Sequence, residues 1–137
     1  MNSELSVALY VLVLLGTNKE RLTSSQISEC IQVHPARIRH ILSKFKKSGY
    51  LETKEGSDGG YLLSQNPQEI NLKDLYTMIS SKPLHISKRS LNSKESFPAK
   101  VDNQLEFIFK ACELKLLQQL QEITLADMID SINNASG

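Results

Sequence analysis

The chain has 137 residues, 40% of them hydrophobic and 23% charged, with a formal net charge of +1. That is room for one packed domain and a helical extension without disulfides or a structural metal. Cys30 and Cys112 are the only cysteines, which excludes a disulfide scaffold and fits a reducing cytoplasm.

The near-neutral total conceals an uneven distribution. Residues 1–100 carry 14 Lys and Arg against 9 Asp and Glu, whereas 101–137 carry 2 against 6. The two ends are therefore expected to meet different partners.

The spacing predicts a first helix over Glu4 to Leu15, capped by Ser3 and stopped by Gly16. Leu5, Ala8, Leu9 and Leu12 form one stripe, and Val7, Val11 and Leu14 widen it. Such a helix is expected to be buried on two sides, against the segment that follows and against the C-terminal helices. Its apolar run VALYVLVLL has nine residues, against the roughly 20 that span a bilayer. Glu4 is the only charge ahead of that run and no small-residue cleavage site follows, so neither an anchor nor a signal peptide is expected. TNKER reads as a solvated link.

A short helix, SSQISECI, follows, starting on Ser24 or Ser25 as cap with Ile27 and Ile31 inward. Pro35 opens the next helix, because its fixed φ is helical and its missing N–H has no partner there anyway. Ile38, Ile41, Leu42 and Phe45 recur at helical spacing and face the core, and Gly49 is the stop. The far side carries Arg37, His40 and Lys44, with Ala36, Arg39, Lys46 and Lys47 at its flanks. No Asp or Glu interrupts the stretch from His34 to Lys47. A helix of this kind fits the major groove, where Arg makes bidentate bonds to guanine.

Tyr50 to Thr53 and Tyr61 to Leu63 are β-prone runs around EGSDGG, which predicts a hairpin. Its glycines let the backbone approach a phosphate, and Lys54 adds charge beside them. The whole stretch from Thr23 to Leu63 reads as a winged helix-turn-helix, within a fold that is mainly α with a small β-wing. Arg37 and His40 are expected at base edges, with Ala36 near a thymine methyl. Arg39, Lys44 and Lys47 are expected on phosphates. Ser24, Ser25 and Gln26 either donate to a phosphate or only cap their helix. His34, Lys54, Ser57 and Gly59 complete the expected DNA-binding set.

After a polar turn over Ser64 to Glu69, Asn71 is expected to cap a helix to about Ser80, with Leu72, Leu75, Tyr76 and Ile79 inward. Residues 82–100 are rich in Ser, Lys and Pro and read as a solvated loop. Leu84, Ile86 and Phe97 would pin that loop to the body or line a pocket for a small effector. From Val101 to about Glu122 the period is helical again. Leu105, Ile108, Phe109, Cys112, Leu116, Leu120 and Ile123 fall on one arc, while Phe107, Ala111 and Leu114 lie opposite. Two apolar faces call for two partners. Thr124 is expected to cap a last helix through Leu125, Met128, Ile129 and Ile132.

Cys30 and Cys112 are expected to be apolar fillers, with Cys30 the better candidate for redox sensing because its helix belongs to the winged motif. His34, His40 and His85 lack the spacing of a metal site, so no metal or other cofactor is expected. No nucleophile with its base appears, and the Gly-rich tip lacks the Lys-Ser/Thr of a phosphate-binding loop, so an enzyme is not expected.

HPARIRHILSKFKKSGYL and EGSDGGYLLSQNPQEINLKDLYTMI resemble the recognition helix and wing of the Rrf-two (Rrf2) family of bacterial winged-helix transcriptional regulators. Gly56, Gly59, Gly60, Tyr61, Leu62, Pro67, Ile70, Leu72 and Asp74 carry the match. The resemblance covers about the first eighty residues closely and the long helix by position and character. It implies a homodimer built on the long helix through Leu105, Ile108, Phe109, Cys112, Leu116 and Leu120, binding double-stranded DNA at an inverted repeat, as a repressor. The implied organisation is a DNA-binding domain over 1–81, a basic linker over 82–100 and a helical dimerisation region over 101–137. Two departures stand out: the family's wing arginine falls at Glu55, and the three closely spaced cysteines of cluster-binding members are missing from the loop before the long helix. The alternative is a winged-helix module that binds a protein or a small effector without reading DNA sequence.

Overall fold

Residues 3–79 and 96–136 are described in the computed structural model, and they form six helices and one hairpin. The first helix, α1 (Ser3–Thr17), is the axis of the core, with Val7, Ala8, Val11, Leu12 and Leu15 buried. It packs against α2 (Ser24–Ile31), α3 (Pro35–Lys47), α4 (Leu72–Ile79) and α6 (Leu125–Ser136). The two-sided burial expected from its composition is thus found. Gly16 does not stop it. A Cβ there would lie 2.8 Å from Ile129 Cδ1, so the glycine lets α6 cross close by. The helix is closed instead by Thr17 Oγ1 and Asn18 Nδ2, which donate to the Leu14 carbonyl at 3.0 and 2.6 Å.

The cap of α2 is Thr23, not Ser24 or Ser25. The Gln26 amide donates to Thr23 Oγ1 at 3.1 Å and the Thr23 amide donates to Gln26 Oε1 at 2.8 Å. Only a residue three before Gln26 can close this reciprocal pair, which leaves both serines inside the first turn. In α3, Pro35 occupies the first turn, and Ile38, Ile41, Leu42 and Phe45 are fully buried as their spacing predicts. Tyr50 follows, with its ring tilted against Phe45 at 6.1 Å between centroids. Burial, and after it the Asp74 carboxylate, holds the Tyr50 phenol above its ordinary value.

The wing is β1 (Leu51–Lys54) antiparallel to β2 (Gly60–Leu63), with Leu51 opposite Leu63 and Lys54 opposite Gly60. Its root is fastened to the link after α1: the Leu22 amide donates to the Tyr61 carbonyl at 3.0 Å and the Tyr61 amide to that of Leu22 at 2.7 Å. Arg21, from the link expected to be solvated, reaches Glu52 on β1 at 3.8 Å.

A 3-10 turn over Pro67–Glu69 leads to α4, capped as expected by Asn71, whose Oδ1 accepts from the Asp74 amide at 2.9 Å. Leu75, Tyr76 and Ile79 are buried. The long helix, α5 (Phe97–Gln121), has 25 residues and is capped by Ser96. It begins four positions before Val101, inside the stretch expected to be loop, because a Ser cap followed by Pro98 is a helix start. Phe97 is 79% exposed and does not pin anything to the body. Leu84, Ile86 and the rest of 82–95 lie outside the described residues, as does that side of the expected effector pocket.

Of α5, only Ala99 and Asp102 are buried. Leu105, Phe109, Leu117 and Leu120 form a half-buried face, and the helix packs on α4. Burial and then the nearby Glu113 carboxylate raise the Tyr76 phenol above its ordinary value. Ile108, Cys112 and Leu116 are exposed, as are Phe107 at 71% and Leu114 at 63%. Thr124 caps α6 through a second reciprocal pair with Asp127. The corner before it is fixed to the 3-10 turn by Leu72 donating to Ile123 and Leu125 to Ile70, both at 2.8 Å.

Candidate nucleic-acid interface

The geometry of α3 decides what a duplex would meet. At about 100° per residue, the side opposite the four buried residues centres on Ala36, His40, Ser43 and Lys47, all exposed. Arg37 and Lys44 lie to one flank, Arg39 and Lys46 to the other. The expected centre of Arg37, His40 and Lys44 is therefore turned by part of a helix face, and Ser43 joins it.

The two flanks differ in chemistry. On the Arg39 side, α3, the wing and the start of α2 enclose an open cleft of about 410 Å³ whose lining includes Ser24, Arg39, Lys46, Lys54, Glu55 and Gly59. Three cations beside the first turn of a helix suit a phosphate, since free amides and helix dipole favour an anion there. Glu55 is the one acid among these six, at the position where the resembled family has arginine. On the other flank, Glu4 of α1 intervenes. Its Oε1 lies 3.1 Å from Lys44 Nζ and 3.7 Å from His40 Nε2. The ammonium of Lys44, expected on a phosphate, is instead engaged within the chain.

Other expected contacts have structural duties. His34 Nδ1 accepts from the Ala36 amide at 3.0 Å and so caps α3, which requires that nitrogen unprotonated. The Gln26 side chain is used in the α2 cap, while Ser25 is exposed. At the wing tip Lys54 and Ser57 are exposed. Gly59 is half-buried, its amide donates to Gly56 at 3.0 Å, and a side chain there would strike the Lys54 carbonyl. It shapes the tip.

Thr23, Ser43, Lys46, Thr53 and Glu4 are absent from the expected set. The Thr-x-x-Gln pattern is the sequence signal for Thr23, and a helical projection finds Ser43 and Lys46. Nothing local points to Glu4. Cys30 and Cys112 are exposed rather than buried fillers, because Cys30 lies off the Ile27 and Ile31 stripe and Cys112 sits outside the half-buried face of α5.

A short helix, an outward basic helix and a hairpin wing anchored to one core define a winged helix-turn-helix of the DNA-binding class. A family profile, Rrf2, described as iron-dependent transcriptional regulator, matches residues 1–131, and the chain belongs to this family of transcriptional regulators. It is a regulator and not an enzyme. YwnA of Bacillus subtilis (strain 168), a candidate HTH-type transcriptional regulator, is 25% identical over 133 residues, covering 96% of this chain and 98% of its own. The crystal structure of a candidate transcriptional regulator from Lactobacillus plantarum superposes with a TM-score of 0.81 at 26% identity, covering 97% of this chain and 91% of that one. IscR of T. potens shares the fold, with a TM-score of 0.71 at 18% identity over all of this chain and 90% of its own.

The family's description names iron, and the residues present do not fit an iron–sulfur cluster. An iron–sulfur cluster needs several thiolates, and the only two here stand on separate helices, α2 and α5. Among the described residues no three His, Cys, Asp or Glu side chains converge as a metal site. No helix among them is long and apolar enough to cross a membrane.

Proposed function

We propose that this chain is a cytoplasmic, sequence-specific regulator that binds an inverted-repeat operator as a homodimer and represses transcription by occupying it. The observation that carries the reading is the outward face of α3, Ala36 to Lys47, standing beside a cleft rich in cations at the wing. His40 and Arg37 reach base edges, Ala36 meets a thymine methyl, and Arg39, Lys46, Lys47 and Lys54 hold the backbone. Residues 1–81 form the DNA-binding unit. The dimer forms along α5, through Ile108, Cys112 and Leu116 of the expected set, which are exposed on the protomer together with Phe107 and Leu114, while Leu105, Phe109 and Leu120 are already half-buried within it. A two-fold axis presents both copies of α3 to one duplex.

Gel-shift titrations of Arg37→Ala against operator and random duplex test the reading. Loss of one bidentate base contact costs about 1 to 3 kcal/mol on the operator and relaxes one position of the site. Equal losses on both duplexes would remove Arg37 from base reading.

A further inference from the structure

Glu4 stands in the first turn of α1, 40 positions before Lys44, and its carboxylate binds Lys44 and approaches His40 on the recognition helix. Both partners of the Lys44 pair are about one-third exposed, at 31% and 30%, so solvent screens it and it adds little to stability. Its location matters more. The pair lies on the α3 flank away from the wing, where a second line of backbone phosphates would otherwise find Lys44.

We propose that Glu4 is an internal counter-charge that withholds Lys44 from DNA and so sets the affinity for duplex of any sequence. The inference rests on the DNA-binding reading above. A phosphate approaching Lys44 meets an ammonium whose charge is offset by a carboxylate at 3.1 Å, and that carboxylate itself repels the backbone. The phosphate contacts are then left to Lys47 on the outward face and to Arg39, Lys46 and Lys54 on the wing side. Restraint of this kind keeps a regulator from being held on random DNA, whose binding is almost wholly electrostatic.

The test compares the full-length protein, Glu4→Gln, Lys44→Gln and the double variant on a random duplex, from about 50 to 200 mM salt, with thermal melting in parallel. Glu4→Gln should bind more tightly at low salt. One further phosphate contact steepens the log–log salt slope by about 0.9, so the gain shrinks about 3.5-fold between those two salt concentrations. Lys44→Gln alone should keep the wild-type slope, and the double variant should show no steepening. Lys44→Gln also stands by itself should Glu4→Gln fail to fold. An unchanged slope in Glu4→Gln with only a lower melting temperature would reduce the pair to a structural tie and overturn the proposal. So would steepening that persists without Lys44, or a flatter slope in Lys44→Gln. Failure of the wild type to bind any duplex would instead overturn the DNA-binding reading beneath it.

Discussion

Gly60 joins the wing to the body, and replacing it tests how that junction is held. Its φ is +132°, and an added Cβ would lie 2.7 Å from the Leu22 oxygen and 2.8 Å from the Leu22 carbonyl carbon. Backbone atoms cannot swing aside as a side-chain tip can. Gly60→Ala therefore brings a strained backbone, about 1 to 3 kcal/mol, and displaces Leu22 from its two hydrogen bonds with Tyr61, about 0.5 to 1.5 kcal/mol each. The sum is about 4 kcal/mol, a large share of a small protein's stability. Gly56, at φ +102° with nothing within 4 Å of where a Cβ would stand, supplies the control, since only the backbone term of about 2 kcal/mol applies there. Urea unfolding followed by circular dichroism at one fixed protein concentration measures both. Equal midpoint shifts for the two variants, or a loss below about 1 kcal/mol for Gly60→Ala, would refute the account of the junction.

Thr23→Ala should cost about 1 kcal/mol in the same assay, while Ser24→Ala and Ser25→Ala should cost much less, because the reciprocal cap belongs to Thr23 and Gln26. Lys46→Ala should reduce the salt slope of DNA binding by about 0.9 with equal weakening on operator and random duplex; a loss confined to the operator contradicts its placement on the backbone. Phe107→Asp with Leu114→Asp should leave the protomer folded, because both positions are exposed on it, yet give a monomer in sedimentation and lose operator affinity. A dimer persisting in that variant would place the interface elsewhere.

What is legible in the sequence follows from how local each signal is. Pro35 and the spacing of Ile38, Ile41, Leu42 and Phe45 declare α3 unaided, and all four side chains are fully buried. The wing is equally plain from its glycines, although both strands begin one residue away from expectation. Gly16 misleads because a glycine that ends a helix and one that admits a crossing helix look alike until α6 is placed. Three adjacent hydroxyl residues could each cap α2, and only the reach of Gln26 selects Thr23. Ser96 and Pro98 announce α5, but the Lys- and Ser-rich stretch before them reads as loop and hides the start. The amendments at the interface have a different origin. Lys44 belongs to a regular basic face by spacing, and its engagement by Glu4 depends on a contact across 40 positions of chain.

Whether the outward face of α3 enters a duplex and is doubled by symmetry is tested most directly by selection of bound sites from a random DNA library by the wild-type protein. The expected result is an enriched inverted repeat whose half-site centres are separated by about 10 to 10.5 base pairs or a multiple of that. Enrichment of a single unrepeated motif, or no enrichment at all, would contradict it.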